Sequence, residues 1–178
     1  VIYGDNRVSG DLLSITGNAA TFSDKNAGSN KTVIVNGLTL SGADAGNYVL
    51  AATTATDTAD ISKAQAIVTA NSLNTVYNGQ NQTASGFSAT GLVNGEDSSV
   101  LTGVTASVTA KDAGSYTNKA NGVDKNYDLT FVDGALEIAK AKATVTANSL
   151  NTVYNGKDQT VTGFTASGLV AGEDEAVL

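Results

Sequence analysis

Two short acidic runs, Glu96-Asp97 and Glu173-Asp174-Glu175, are the residues of this chain best suited to chemistry. Clustered hard oxygens suit calcium, which makes Glu96, Asp97, Glu173 and Asp174 the metal candidates. The spacing favours a blander reading: no Asp-x-Asp-x-Asp loop is present, and acids at the start of a helical turn need only solvent and the positive end of that turn. As a general acid/base pair the runs are weaker still, because carboxylates at i and i+1 do not face each other. The rest of the composition closes most other routes. The 178 residues contain no His and no Cys, and also no Met, Pro or Trp. That excludes Ser-His-Asp and Cys-His catalysis, His- or thiolate-bound zinc, haem ligation and disulfides. The expectation is a protein that is no enzyme and holds no cofactor.

Two further patterns name possible sites. Asn30-Lys31-Thr32 and Asn81-Gln82-Thr83 are glycosylation sequons, but Asp158 stands where the next repeat would carry the equivalent of Asn81, so coincidence is the better reading. Tyr77, Tyr116, Tyr127, Phe87 and Phe131 could stack on sugars, yet they are nearly all the large side chains of their unit, and a small core needs them. Ten Lys and Arg against 17 Asp and Glu give a net charge of −7, with Arg7 the single arginine. A basic face for nucleic acid is therefore not expected. No apolar run approaches the length of a membrane span, and neither membrane insertion nor a signal peptide is expected. A chain without Met also reads as an internal piece of something longer.

The elements that would carry these residues repeat along the chain. Ala-Asn-Ser-Leu-Asn-Thr-Val-Tyr-Asn-Gly occurs at Ala70–Gly79 and again at Ala147–Gly156, an offset of 77 residues. Aligning Gln65–Leu101 with Lys142–Leu178 gives 26 identities in 37 positions. Solenoid repeats run about 20–50 residues, so a unit of this length is better read as a small domain with its own core. The first 64 residues share later landmarks. Ala59-Asp60-Ile61-Ser62-Lys63-Ala64 corresponds to Leu136-Glu137-Ile138-Ala139-Lys140-Ala141, and Lys25-Asn26-Ala27-Gly28-Ser29 to Lys111-Asp112-Ala113-Gly114-Ser115. The expected domains are residues 1–64, truncated at the N-terminus; 65–141, a complete repeat; and 142–178, the first half of another.

Nearly every segment reads as strand. Lys31–Asn36, Ala66–Ala70, Val104–Ala110 and Tyr127–Val132 are rich in Val, Ile, Thr and aromatics, several with period-two alternation. Asn36-Gly37, Asn78-Gly79, Asn94-Gly95, Asn121-Gly122 and Asp133-Gly134 read as hairpin turns, with Tyr127–Val132 and Ala135–Ala139 the clearest pair of partners. Gly95–Leu101 and Gly172–Leu178 have the makings of a helical turn. The fold expected is all-β: tandem small β-sandwiches of immunoglobulin-like type in an elongated rod. Asp44-Ala45-Gly46-Asn47-Tyr48 adds the look of a tyrosine corner. The alternative is a β-grasp-like unit with one short helix.

In this order, Tyr77-Asn78-Gly79, Gly91-Leu92-Val93-Asn94-Gly95-Glu96-Asp97, Ala113-Gly114-Ser115-Tyr116 and Asn126–Ile138 resemble an MBG-type domain. Gly10-Asp11, Phe22–Lys31 and Leu40–Tyr48 resemble its sister, the YDG domain, although the opening strand and the Tyr-Asp-Gly signature of that family are lacking and Tyr3-Gly4 is not a full match. The resemblance implies a segment of a very large bacterial surface protein. Such proteins include filamentous-haemagglutinin-like adhesins exported by two-partner secretion, some of them acting in biofilms. It places the chain outside the cell, at the bacterial surface or in a secreted matrix.

At the junctions Ile61–Val68 and Ile138–Val145, one unit's last strand runs toward the next unit's first without a Gly- or Ser-rich spacer, so stiff joints are expected. The leading function is a structural stalk whose partners are its own neighbouring repeats. The alternative is a repeat module that binds surface glycans, polysaccharide or a host protein multivalently. Unpaired strand edges, with no Pro to block them, would let copies of the chain associate side by side.

Overall fold

Alternation of apolar or β-branched residues with small polar ones makes strand the ruling element. The computed structural model describes residues 6–178, so Tyr3-Gly4 lies outside the described residues. Among these, the helical elements are three 3-10 turns of three residues each. The chain forms two compact units, residues 1–64 with 125–128, and residues 65–124 with 129–178.

In the first unit β1 (Ser14–Thr16) pairs with β4 (Thr39–Ser41), and β3 (Gly28–Asn36) lies between β2 (Thr21–Phe22) and β5 (Thr54–Ile61), every pairing antiparallel. Val35, Leu38 and, from 125–128, Tyr127 are its buried apolar residues among those described. The register of β3 on β5 shifts between Gly28 and Lys31, where Asn30 takes φ 51° and donates its N–H to Asp60 Oδ1. Ahead of this bulge Asp24 Oδ1 accepts from Asn26 N and from Lys31 Nζ. The bond from Lys31, and then that from Asn26, hold the Asp24 carboxyl at about 2.

The tyrosine-corner reading of Asp44–Tyr48 does not hold. Such a corner bonds its hydroxyl to backbone a few residues upstream. Tyr48 donates instead to Asp11 Oδ2 at 2.5 Å and accepts from Val8 N at 2.9 Å, while Asp44 Oδ2 accepts from Leu12 N at 2.8 Å. The 3-10 turn Ala45–Asn47 lies between these two side chains, and together they tie residues 8–12 down. The short upstream bond belongs to Tyr116, whose hydroxyl donates to Asp112 O at 3.1 Å.

The second unit has eleven short strands. They are β6 (Ala64–Ala70), β7 (Leu73–Val76), β8 (Gln82–Ser85), β9 (Phe87–Thr90), β10 (Val104–Ala110), β11 (Gly114–Asn118), β12 (Ala120–Gly122), β13 (Tyr127–Val132), β14 (Gly134–Ala139), β15 (Thr144–Ala147) and β16 (Phe164–Ser167). Three sheets, ordered β13-β6-β9, β11-β14-β7 and β12-β10-β8, surround the core of Gln65–Ala139, and β15 pairs with β16. The strand count is high because four segments change sheet midway: β6 to β7, β8 to β9, β11 to β12, and β13 to β14. Strands that switch sheets at a bend are how a sandwich makes its corners.

Tyr127–Val132 and Ala135–Ala139 are strands as expected, but they are not a hairpin: β13 pairs with β6, and β14 with β11 and β7. None of the five Asn-Gly or Asp-Gly dipeptides joins two hydrogen-bonded neighbours. Gly134 shows the physical reason. A Cβ there would stand 2.4 Å from Asn71 O and 2.5 Å from Ala70 O, so glycine serves a close crossing of two backbones rather than a tight turn. The segment expected to hold a β-grasp helix forms only the 3-10 turn Ser98–Val100. The all-β, sandwich-like expectation holds.

The four bends meet at Asn71. Its N–H donates to Gly86 O at 3.0 Å and its Nδ2 to Ser85 O at 3.0 Å, tying the first bend to the second. Its carbonyl accepts from Asn118 Nδ2 at 2.8 Å, beside the third, and Gly134 crosses against it at the fourth. Ser72 Oγ accepts from Ala135 N next door. Asn118 is fully buried, and its Oδ1 has no hydrogen-bond partner. Below this node lie Ala84, Leu136 and Ile138, with Tyr77 and Tyr116 packed half-buried against them. Of the five aromatics expected in the core, Tyr127 alone is fully buried; the other four are half-buried around smaller residues.

Candidate repeat-to-repeat contact site

The acidic candidates are built into local structure. Asp97 Oδ1 accepts from Ser99 N at 2.8 Å and caps the turn Ser98–Val100; Asp174 Oδ1 accepts from Ala176 N at 3.0 Å and caps Glu175–Val177 in the same way. The bonds from Ser99 hold the Asp97 carboxyl below its usual range. Glu96 N donates to Val93 O, closing the turn in which Asn94 and Gly95 both take positive φ. Glu175 Oε1 accepts from Ala166 N at 3.3 Å. Among the described residues no three acidic side chains gather into a group that would hold a metal ion.

Glu173 has the partner that the sequence did not suggest. Its Oε1 accepts from the Tyr77 hydroxyl at 2.5 Å, across 96 positions of chain and from one repeat to the next. The Glu173 carboxylate, then burial, then Asp112 push the Tyr77 hydroxyl above its ordinary value. Tyr77 is therefore a neutral donor at any pH near 7, aimed at a carboxylate acceptor. The contact sits at a groove of about 300 Å³ whose walls include Tyr77, Ala113, Lys140, Val170, Glu173 and Leu178. Gly79 completes the fit: a Cβ there would come within 2.9 Å of Val170 Cγ1. A second hollow of about 520 Å³ runs over β7, β14 and the start of β11, past Asn74, Gly114, Glu137 and Lys140.

Chemically this is a seat. It offers the Tyr77 hydroxyl, the Asp112 and Glu173 carboxylates, Lys140 and apolar walls. Two motifs acquire physical roles in it. Tyr77-Asn78-Gly79 supplies the donor and the bare backbone, and Gly168-Leu169-Val170-Ala171-Gly172-Glu173 supplies the loop that forms the facing wall. The sequence reading missed both Tyr77–Glu173 and the Asn71–Asn118 node. A signal for each was present: Asn71, Tyr77 and Gly86 recur at Asn148, Tyr154 and Gly163 in the copy. Of the sequons, Asn30 lies exposed in the β3 bulge and Asn81 lies exposed just before β8.

Residues 2–56 match the family described as YDG domain, and residues 66–137 match the family described as MBG domain (YGX type). No curated protein and no solved structure matches the chain.

Proposed function

We propose that this chain, which carries a YDG domain followed by an MBG domain, is a length of stalk from a large bacterial extracellular adhesin. Its role is mechanical: it holds a distal binding region away from the cell or builds matrix in a biofilm, and it performs no catalysis. One observation carries this reading. In the MBG domain β13 runs beside β6 and delivers the chain to Gly134, at the carbonyls of Ala70 and Asn71 where β6 ends; β14 then runs parallel to β7 until Ala139 O accepts from Tyr77 N at 2.8 Å. First and last strands thus travel the same way. The chain comes in where β6 starts and goes out at the far end, where β14 stops. Domains traversed end to end extend a chain with each added copy.

The seat at Tyr77 supports the same reading, because it lies where β14 ends and holds the loop of the next repeat. The partners are accordingly neighbouring repeats of the same chain, and the place is the bacterial surface or secreted matrix. Export by two-partner secretion belongs to the same proposal. Side-by-side association with other copies, and recognition of surface glycans or polysaccharide, follow only if the repeats themselves bind. Changing the number of MBG repeats tests the proposal. For a stalk, the maximum dimension from small-angle scattering rises by a constant increment per repeat and reach declines gradually as repeats are removed. A steep loss of avidity for a glycan surface at unchanged reach per repeat would replace the stalk with the multivalent binder.

A further inference from the structure

We infer that the MBG domain contains a mechanical clamp, formed by the parallel pair β7–β14, that resists tension applied through the ends of the domain. The inference rests on the stalk reading for its purpose, but its geometry belongs to the domain alone. Leu136–Ala139 lies parallel to Leu73–Val76 in continuous register, and the Tyr77 N–H to Ala139 O bond closes the ladder at its far end. Tension reaches β7 through the start of β6 and reaches β14 through its own C-terminal end. Two parallel strands pulled from opposite ends slide along each other, so the evenly spaced ladder bonds are loaded together. Two strands pulled apart from one shared end peel, and the bonds fail one after another.

Three features anchor the sliding strand. On its other side β14 pairs with β11 over five residues, Gly114–Asn118 against Ile138–Gly134. Leu136 and Ile138 point from it into the core and are buried. At its start, the Ala135 N–H to Ser72 Oγ bond and the crossing of Gly134 over Asn71 hold it to the bend between β6 and β7. Withdrawing β14 along its axis must break both ladders and drag two buried side chains past their neighbours before any strand is released. The first unit is different: all its strand pairs among the described residues are antiparallel.

The chain has no Cys, so two introduced cysteines are unique handles for single-molecule pulling on the full chain. Ser62→Cys with Lys142→Cys loads the parallel pair along its length. Asn78→Cys with Lys142→Cys pulls both strands from their shared end. All three positions are exposed, and an unchanged thermal transition in both double variants shows that each is folded. The expected rupture force is about two- to threefold higher for the first pair than for the second at the same loading rate, because forced unfolding reads the barrier along the pulled direction. Equal forces for the two pairs would overturn the clamp. That failure is separate from failure of the stalk, which is read from the increment in length per repeat.

Discussion

Gln65–Leu101 and Lys142–Leu178 are 26/37 identical, and they fold alike only in part. Both pair their first strand with the segment after the bend in the same register: Ile67↔Thr90 to Ala70↔Phe87 in one, Thr144↔Ser167 to Ala147↔Phe164 in the other. Both lock the bend with an asparagine, Asn71 Nδ2 to Ser85 O and Asn148 Nδ2 to Thr162 O. Both close the Tyr-Asn-Gly loop through an asparagine side chain, Asn78 Oδ1 accepting from Gln80 N and Asn155 Oδ1 from Lys157 N. They part at the second and third strands. Residues 73–76 and 82–85 form β7 and β8, whereas residues 150–153 and 159–162 form no strand. Burial parts with them. Val68 is 0% exposed and Val145 54%; Leu101 is 1% exposed and Leu178 58%.

The difference is one of partners. β7 exists against β14, and β8 against β10. Counterparts of β10 and β14 for the second copy are not among these 178 residues. Ten of the eleven differences between the copies fall at positions that are not buried in the first copy; the exception is Ala84, replaced by Val161. Sequence change therefore does not account for the missing strands. Local bonds within about fifteen residues persist without a core, because side-chain-to-backbone bonds in tight turns need no distant element. Strand ladders do need one, since an isolated strand gains too little to offset the entropy of ordering it.

The largest change should come from supplying the partner. Extending the chain after Leu178 with a second copy of residues 102–141 should turn residues 150–153 and 159–162 into strands and bury Val145 and Leu178. Amide exchange there is expected to slow by at least about a hundredfold. Unchanged exchange would mean that the eleven differences, and not the missing partner, set the two copies apart.

The reverse change is next in size. Leu136→Ala removes a fully buried side chain from the centre of β14 and should cost about 2–5 kcal/mol in urea unfolding. Residues 73–76 and 82–85 should then exchange more like their counterparts in the second copy, while the β15–β16 pair keeps its protection. Equal loss in both copies would show that the second depends on the first as a core, which is contrary to the comparison.

The smallest effect belongs to the contact that joins them. Tyr77→Phe should leave the unfolding transition of residues 65–141 nearly unchanged while loosening residues 168–178, read as faster amide exchange at that loop alone. Its pH dependence has a definite sign. The folded state raises the Tyr77 value above its ordinary 10.0, so the contact's contribution is complete below pH 10 and is lost as pH rises through the raised value. Glu173→Gln should remove most of that alkaline step; an undiminished step would place its origin in another tyrosine.

Much of the fold was legible in residue order. The strands at Lys31–Asn36, Ala66–Ala70, Val104–Ala110 and Tyr127–Val132 follow from alternation, and the acid-capped turn at Ser98–Val100 follows from Glu-Asp before it. Positive φ was legible at Gly37, Gly79 and Asn94-Gly95, because that requirement is local. The meaning of Asp133-Gly134 was not. A glycine demanded by a turn and one demanded by a crossing backbone look the same in a sequence. Tyr77 was read as core, and it does pack half-buried against the core. Its hydroxyl's partner, 96 residues on, could not be read from spacing.

Residue order alone determined that this chain is β throughout, that it repeats, that it has no His and no Cys, and where its tight turns and caps fall. Each of those depends on interactions between near neighbours or on composition. The tertiary structure decided which strands pair, that β13 and β14 belong to different sheets, that Asn118 is buried on Asn71 O, and that Glu173 meets Tyr77. It also decided that Val68 and Leu101 are buried while the identical residues Val145 and Leu178 are exposed. The physical reason is common to all of these: a strand's hydrogen bonds and its buried face are completed by residues far away in sequence, and the pattern along one strand specifies that a partner is needed without specifying which one.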